Sequence, residues 1–245
     1  MKKLLFFTLL STTSIYAQHT IEVKHKYYTM QFDTVQSAEI LGFYVQTTAH
    51  STTTPKVKRE GKFANFTKDP APPIQNKVLA NDNEYEDWNR ANTTHPRDRG
   101  HVNPFTAFDF AEDAALETNY FSNTCPQAKY FNEHQWEAIE QYVLKLSRGY
   151  DSLNHQYKIV PIDNIKVWTG VLISTTHPKK MKDVPEPDYY WKVIQYKEGS
   201  KTITRAWLGL NEDINRSTDP DDIVADVAHL KQVIKQYYPK LKLDF

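Results

Sequence analysis

From Ile21 to Phe32, and again from Ile40 to Thr48, β-branched and aromatic residues dominate, which predicts two strands joined by a polar turn. Tyr157 to Ile162 and Ile165 to Ser174 read as two more strands. Tyr189 to Lys197 and Lys201 to Leu210 read as a hairpin around Glu198-Gly199-Ser200. Over Asn132 to Leu146 the period changes. Trp136, Ile139, Val143 and Leu146 recur at spacings of three and four, which predicts a helix with one apolar side, and Asn132 with Gln135 resembles a capped start. Ile223, Val224, Val227, Leu230 and Ile234 predict a closing helix over Pro220 to Tyr238, capped by Asp219 with Pro220 at its first position. Residues 50 to 97 follow neither period and are rich in Pro, Asn and Asp, as in Asp69-Pro70-Ala71-Pro72-Pro73. They predict a long surface connection, of a length that is often functional. Strands dominate with helices between them, so the expected class is α+β, with one domain over residues 18–245.

Composition narrows the picture. The chain has 245 residues, 40% hydrophobic and 24% charged, which is globular rather than disordered. Lys2-Lys3, the apolar run Leu4 to Leu10, and Ile15-Tyr16-Ala17 follow in the order of a secretory leader cleaved before Gln18. The apolar run is too short to span a bilayer, and no Cys follows it to carry a lipid. A secreted or periplasmic protein without a membrane anchor is therefore expected. Loss of the leader leaves 28 basic and 30 acidic residues, a formal charge of −2. A protein that grips nucleic acid through bulk positive charge looks different. Any polyanionic substrate must be drawn by a local patch and a bound cation. The single cysteine, Cys125, excludes an internal disulfide and reads as a packing residue.

Candidate chemistry concentrates in one stretch. Asp98-Arg99-Gly100-His101 is followed within forty positions by Asn123, Asn132 and Glu140. Phosphodiester hydrolysis needs a deprotonated water, neutralisation of developing charge and help for the leaving oxygen. An imidazole such as that of His101 titrates near neutral pH and suits the first task. Gly100 would let the backbone pass close to a ligand. Asn132 and Glu140 lie eight residues apart, roughly 80° around a helix at about 100° per residue, so both can face one side. An amide oxygen and a carboxylate are hard donors suited to a largely hydrated Mg²⁺. Read alone, Asn132 is better taken as an N-cap and Glu140 as an exposed helix residue. Lys179, Lys180 and Lys182 form a basic loop cluster that reads as solvated charge in preference to a contact with a nucleic-acid backbone.

Taken together, Asp98 to His101, the run Thr118-Asn119-Tyr120-Phe121-Ser122-Asn123-Thr124-Cys125-Pro126-Gln127, and Phe131-Asn132 with Trp136 and Glu140 resemble the DNA/RNA non-specific endonucleases, the ββα-metal nucleases. Val167-Trp168-Thr169-Gly170 and Tyr190-Trp191-Lys192-Val193-Ile194 look like two core strands of that family. The resemblance spans about Tyr27 to Asn211. It implies a central, mainly antiparallel sheet with flanking helices and long loops. It further implies His101 as general base, Asn132 as direct ligand of Mg²⁺ (or Mn²⁺), and Glu140 holding a metal-bound water. Asn123 would position base and phosphate, and Arg99 would stabilise charge at the phosphate. Asp98 would orient the arginine and its loop more than it touches substrate. The family's upstream phosphate-binding arginine matches Arg59. Extra residues from Ala64 to Lys68 interrupt that match, so Lys62 could serve instead, or the stretch could be a solvated basic turn.

The expected activity is metal-dependent hydrolysis of DNA and RNA with little sequence preference. A phosphodiesterase of small molecules using the same site is the alternative, which the weak overall charge slightly favours. A non-catalytic binding protein has no need of His101, Asn132 and Glu140 together.

Overall fold

The computed structural model describes residues 19–151, 156–157, 160–213 and 218–245; the expected leader, residues 1–17, lies outside them. The strands that build the architecture are β1 (Thr20–Lys24), β2 (Thr29–Asp33), β3 (Ala38–Gln46), β4 (Arg97–His101), β5 (Thr124–Ala128), β6 (Ile165–Leu172), β7 (Tyr189–Glu198), β8 (Lys201–Leu210) and β9 (Val224–Ala225). The main helices are α1 (Asp82–Ala91), α2 (Glu112–Thr118), α3 (Glu137–Ser147) and α4 (Val227–Tyr237). Seven strands form one sheet in the order β1-β2-β3-β6-β7-β8-β9, every neighbouring pair antiparallel. β4 and β5 pair with each other as a separate antiparallel ribbon.

Alternation of side chains puts a core on each face of the sheet. Along β7, Tyr190 and Ile194 enter one core while Trp191 and Val193 enter the other. β6 does the same with Val167 and Val171 against Trp168 and Leu172. Ile139, Val143 and Leu146 of α3 fill the first core, and Leu230 and Ile234 of α4 fill the second. The sheet is thus the middle of three layers, and both of its faces are covered. That is why these central strands read as nearly unbroken apolar runs. Among the described residues, no helix is long and apolar enough to cross a membrane.

The α+β class, the β7–β8 hairpin and the helix over residues 137–147 agree with the sequence reading. Four expectations change. Ile21 to Phe32 is two strands, because the polar Lys24-His25-Lys26 segment turns and the His25 N–H closes it onto the Tyr28 carbonyl at 2.9 Å. The closing helix is broken. Asp219 caps a 3₁₀ turn over Pro220–Ile223, β9 then pairs with the free edge of β8, and the helix begins only at Val227, where Asp226 accepts from the His229 N–H at 2.8 Å. Val224 accordingly stands exposed instead of on an apolar helix side. The supposed loop of residues 50–97 contains α1, which buries only Tyr85 and so shows little apolar period. Of the strand expected over Tyr157 to Ile162, Gln156–Tyr157 pairs with Tyr150–Asp151, residues 158–159 lie outside the described residues, and 160–162 are not strand.

Gly170 on β6 sits opposite Trp191 on β7, and a Cβ there would overlap both the Ile40 carbonyl oxygen and the indole. Overpacking of this kind costs about 1–3 kcal/mol. Gly170→Ala is expected to lower the unfolding free energy by that amount, read as a lower urea midpoint with an unchanged m value; an unaltered midpoint would show that the two cores are looser than their packing indicates.

Candidate active site

The site is built on the β4–β5 ribbon and the turn that follows it. In this ribbon Gly100 pairs with Cys125 and His101 with Thr124. A side chain at Gly100 would collide with Gln127, so the glycine serves close packing between the two strands instead of the ligand approach expected of it. After β5 the chain enters a π-helical turn, Phe131–Trp136, in which the Glu137 N–H reaches back to the Asn132 carbonyl. Such widened turns are rare and recur at functional sites. Asn132 lies inside that turn and does not cap α3. Its amide nitrogen instead donates to Asp98 Oδ2 at 2.9 Å. The amide oxygen is left as the group it can offer the cleft.

Arg59, Asp98, Arg99, His101, Asn132 and Glu140 line one cleft of about 610 Å³. His101 is 8% exposed, and its Nε2 lies 3.2 Å from Asn119 Oδ1. The Asn119 amide nitrogen donates to the Phe63 carbonyl at 2.8 Å, which fixes which end of the amide faces the ring. An oxygen there accepts the Nε2 proton, so the hydrogen-bond network assigns the free lone pair to Nδ1. Burial, together with the nearby Arg59 and Arg99 guanidiniums, lowers the His101 pKa from its ordinary 6.5 to about 3, against the pull of Asn119. The imidazole is therefore neutral at ordinary pH.

Charge around it is layered. Arg99 pairs with Asp82 at the start of α1, so it is not oriented by Asp98. Arg59 lies in the same cleft, whereas Lys62 turns away to Glu112 at 2.8 Å. Glu140 is mostly buried, and its carboxylate stands 3.7 Å from the ammonium of Lys192, which is fully buried on β7 beside the Trp136 ring. Burial raises the Glu140 pKa and lowers that of Lys192; each is opposed by the other's charge.

Asn123 is not brought into the cleft. It is fully buried, accepts from the Asn103 backbone N–H at 2.8 Å, and donates to the carbonyls of Asn103 and Thr118. All its polar capacity goes into fastening the loop after His101, and Asn103 in turn donates to the buried Glu39 of β3 at 2.7 Å. Glu39 is held well above the usual carboxylate range by burial. Asn119, four residues earlier in the same motif, is the amide that meets the imidazole. Sequence reading assigned no role to Asn119, Asp82 or Lys192. Lys192 did leave a trace: it is a lysine at a core-facing position between Tyr190 and Ile194. Cys125 is buried in the first core, where burial raises its thiol pKa, as a packing residue requires. Two lysines of the basic cluster are matched by acids: Lys179 by Asp188 and Glu212, Lys182 by Glu84 and Asp87.

The sequence profile of the DNA/RNA non-specific endonucleases matches residues 11–241, nearly the whole chain. The chain belongs to the DNA/RNA non-specific endonuclease family. A search of curated proteins finds no match. Among solved structures, a chain from the crystal structure of the EndoG/EndoGI complex, which concerns the mechanism of EndoG inhibition, is 19% identical with a TM-score of 0.66. The match covers 87% of this chain and 83% of that one. At that identity the likeness establishes the fold, which is the ββα-metal fold expected from the motifs.

The donor set of this endonuclease fits a hard cation. It offers the Asn132 amide oxygen, with its nitrogen already engaged, and the Glu140 carboxylate. Among the described residues no group of three or more His, Cys, Asp or Glu could hold a metal. Few protein oxygens and many retained waters are how Mg²⁺ is usually bound.

The depressed His101 pKa has a measurable consequence. The unfolded chain binds this proton below about pH 6.5, while the folded chain refuses it until about pH 3, so stability falls on acidification across that window. The slope is about 1.4 kcal/mol per pH unit for a single group. His101→Asn is expected to flatten the acid limb of the stability profile between those limits. A limb as steep as that of the wild type would show that His101 protonates normally in the fold.

Proposed function

We propose that residues 18–245 form a secreted or periplasmic endonuclease that hydrolyses DNA and RNA with little sequence preference, using Mg²⁺ or Mn²⁺, with residues 1–17 as its leader. The observation that carries this reading is that the neutral His101 ring and the Asn132 amide line one cleft beside two guanidiniums. His101 Nδ1 takes the proton of the attacking water, and Asn119 holds the ring in the required tautomer. An imidazole made so weakly basic by burial and two cations regains basicity when an anionic phosphate lies between those cations and offsets their charge. Arg99 and Arg59 bind the phosphate oxygens. Asn132 and Glu140 would hold the cation, directly and through its water, and the bound ion supplies positive charge to the phosphate and the leaving 3′ oxygen. In-line attack of this kind leaves 5′-phosphate ends. Asp98 serves as the residue that aims the Asn132 amide, and Asn123 as a tie within the scaffold. Because phosphate contacts carry no base information, sequence preference is expected to be weak.

One observation favours the alternative, a phosphodiesterase of small molecules. Asp109, Glu133 and Glu137 also line the cleft, so carboxylates outnumber guanidiniums there. Turnover of plasmid DNA and RNA compared with a nitrophenyl phosphodiester separates the two readings.

Purified mature protein is expected to cut plasmid and RNA, to stop in EDTA, and to recover on addition of Mg²⁺ or Mn²⁺; cleavage that survives EDTA would refute the metal dependence. His101→Ala should lose nearly all cleavage while oligonucleotide binding persists, and full activity in that variant would end the general-base role. Asp98→Ala should raise the Mg²⁺ concentration needed for half-maximal rate by about 10–100-fold, the usual effect of releasing a group that orients a ligand.

A further inference from the structure

Arg59 and Arg99 carry like charges into the same cleft, yet they are held by different means. Arg99 has Asp82. Among the described residues Arg59 has no salt bridge; its guanidinium carbon instead stands 5.5 Å from the Phe66 ring centre and 5.9 Å from that of Phe105. The same Phe66 ring lies 4.9 Å from the Arg99 guanidinium carbon and 5.1 Å from the imidazole of His101. One phenyl ring, 6% exposed, therefore touches all three groups that would act on the phosphate. Its backbone is tied to the segment that fixes the imidazole: the Thr67 N–H donates to the Asn119 carbonyl and the Phe121 N–H to the Thr67 carbonyl, both at 3.0 Å. Phe63, three residues earlier, accepts from the Asn119 side chain.

We propose that Phe66 is a positioning residue that sets the spacing of Arg59, Arg99 and His101, and that it holds Arg59, which has no carboxylate partner among the described residues, without neutralising it. The inference rests on the endonuclease reading above. A carboxylate that fixes an arginine also cancels its charge. An aromatic face fixes it through the ring quadrupole and leaves the full positive charge for an anion. Two guanidiniums repel, so without the shared ring Arg59 drifts outward and the cradle loses the pre-organisation on which charge stabilisation depends.

The test compares Phe66→Leu, which keeps apolar bulk and loses the π face, with Phe66→Tyr, which keeps it. Affinity for a short fluorescein-labelled single-stranded oligonucleotide is measured by anisotropy in EDTA, so that neither turnover nor metal enters; kcat, KM and Tm are measured in parallel. Phe66→Leu is expected to weaken binding about tenfold and to lower kcat as well, while Phe66→Tyr stays near wild type in both. Wild-type affinity in Phe66→Leu overturns the proposal. So does an equal loss in both variants that tracks their Tm, which marks the ring as mere filling. A wild type that binds the oligonucleotide but never cleaves defeats the catalytic reading alone, and the binding comparison still decides the role of Phe66. A wild type that binds no oligonucleotide overturns both.

Discussion

The pairing of Arg97–His101 with Thr124–Ala128 is the constraint on which the cleft depends. Its register puts His101 opposite Thr124, and so places the imidazole beside the segment that precedes that strand. From that segment Asn119 meets the ring and Asn123 locks the loop just beyond it. The close fit of Gly100 on Gln127 fixes the separation of the two strands. A slip of one residue would reverse the faces of the whole ribbon and send the imidazole away from Asn132.

Beneath this ribbon the sheet contributes charge as well as support. Lys192 rises from the central strand β7 to Glu140, a pairing that takes the ammonium wholly and the carboxylate largely out of water. Such pairs seldom add stability over apolar replacements of similar size. The sheet therefore carries a polar defect just where the cleft needs an ionised carboxylate. On the opposite wall, aromatic rings take the place of counter-ions around Arg59. The result is a cleft that sets the carboxylates of the helix side against Arg59 and Arg99, held by two different kinds of contact.

Much of this was legible along the chain because it repeats. The alternating strands and the spacing of Trp136, Ile139, Val143 and Leu146 report buried faces, and these elements appear where the periods place them. Where the periods fail, the causes are local. Asp219 and Asp226 both suit a helix start, and only the unpaired edge of β8 decides that Val224 and Ala225 extend as strand between them. α1 is hidden because Tyr85 is its only buried residue, while other ties to the fold, through Asp82 and Asp87, are polar and leave no apolar period. Within the site, the motif announced which residue types gather but not their partners. Asn119 and Asn123 look alike in sequence, and tertiary hydrogen bonds alone tell them apart. The partner of Asp98 is hidden for the same reason, since a neighbour thirty-four positions away takes its carboxylate.

Cys125, sealed in the first core, has one more implication. No covalent cross-link holds this chain together, so its architecture is written wholly in noncovalent contacts. In the folded chain its one thiol is buried and offers thiol reagents no exposed target, and assembly needs no disulfide oxidase or disulfide isomerase. The fold is in that respect indifferent to which side of a membrane it forms on.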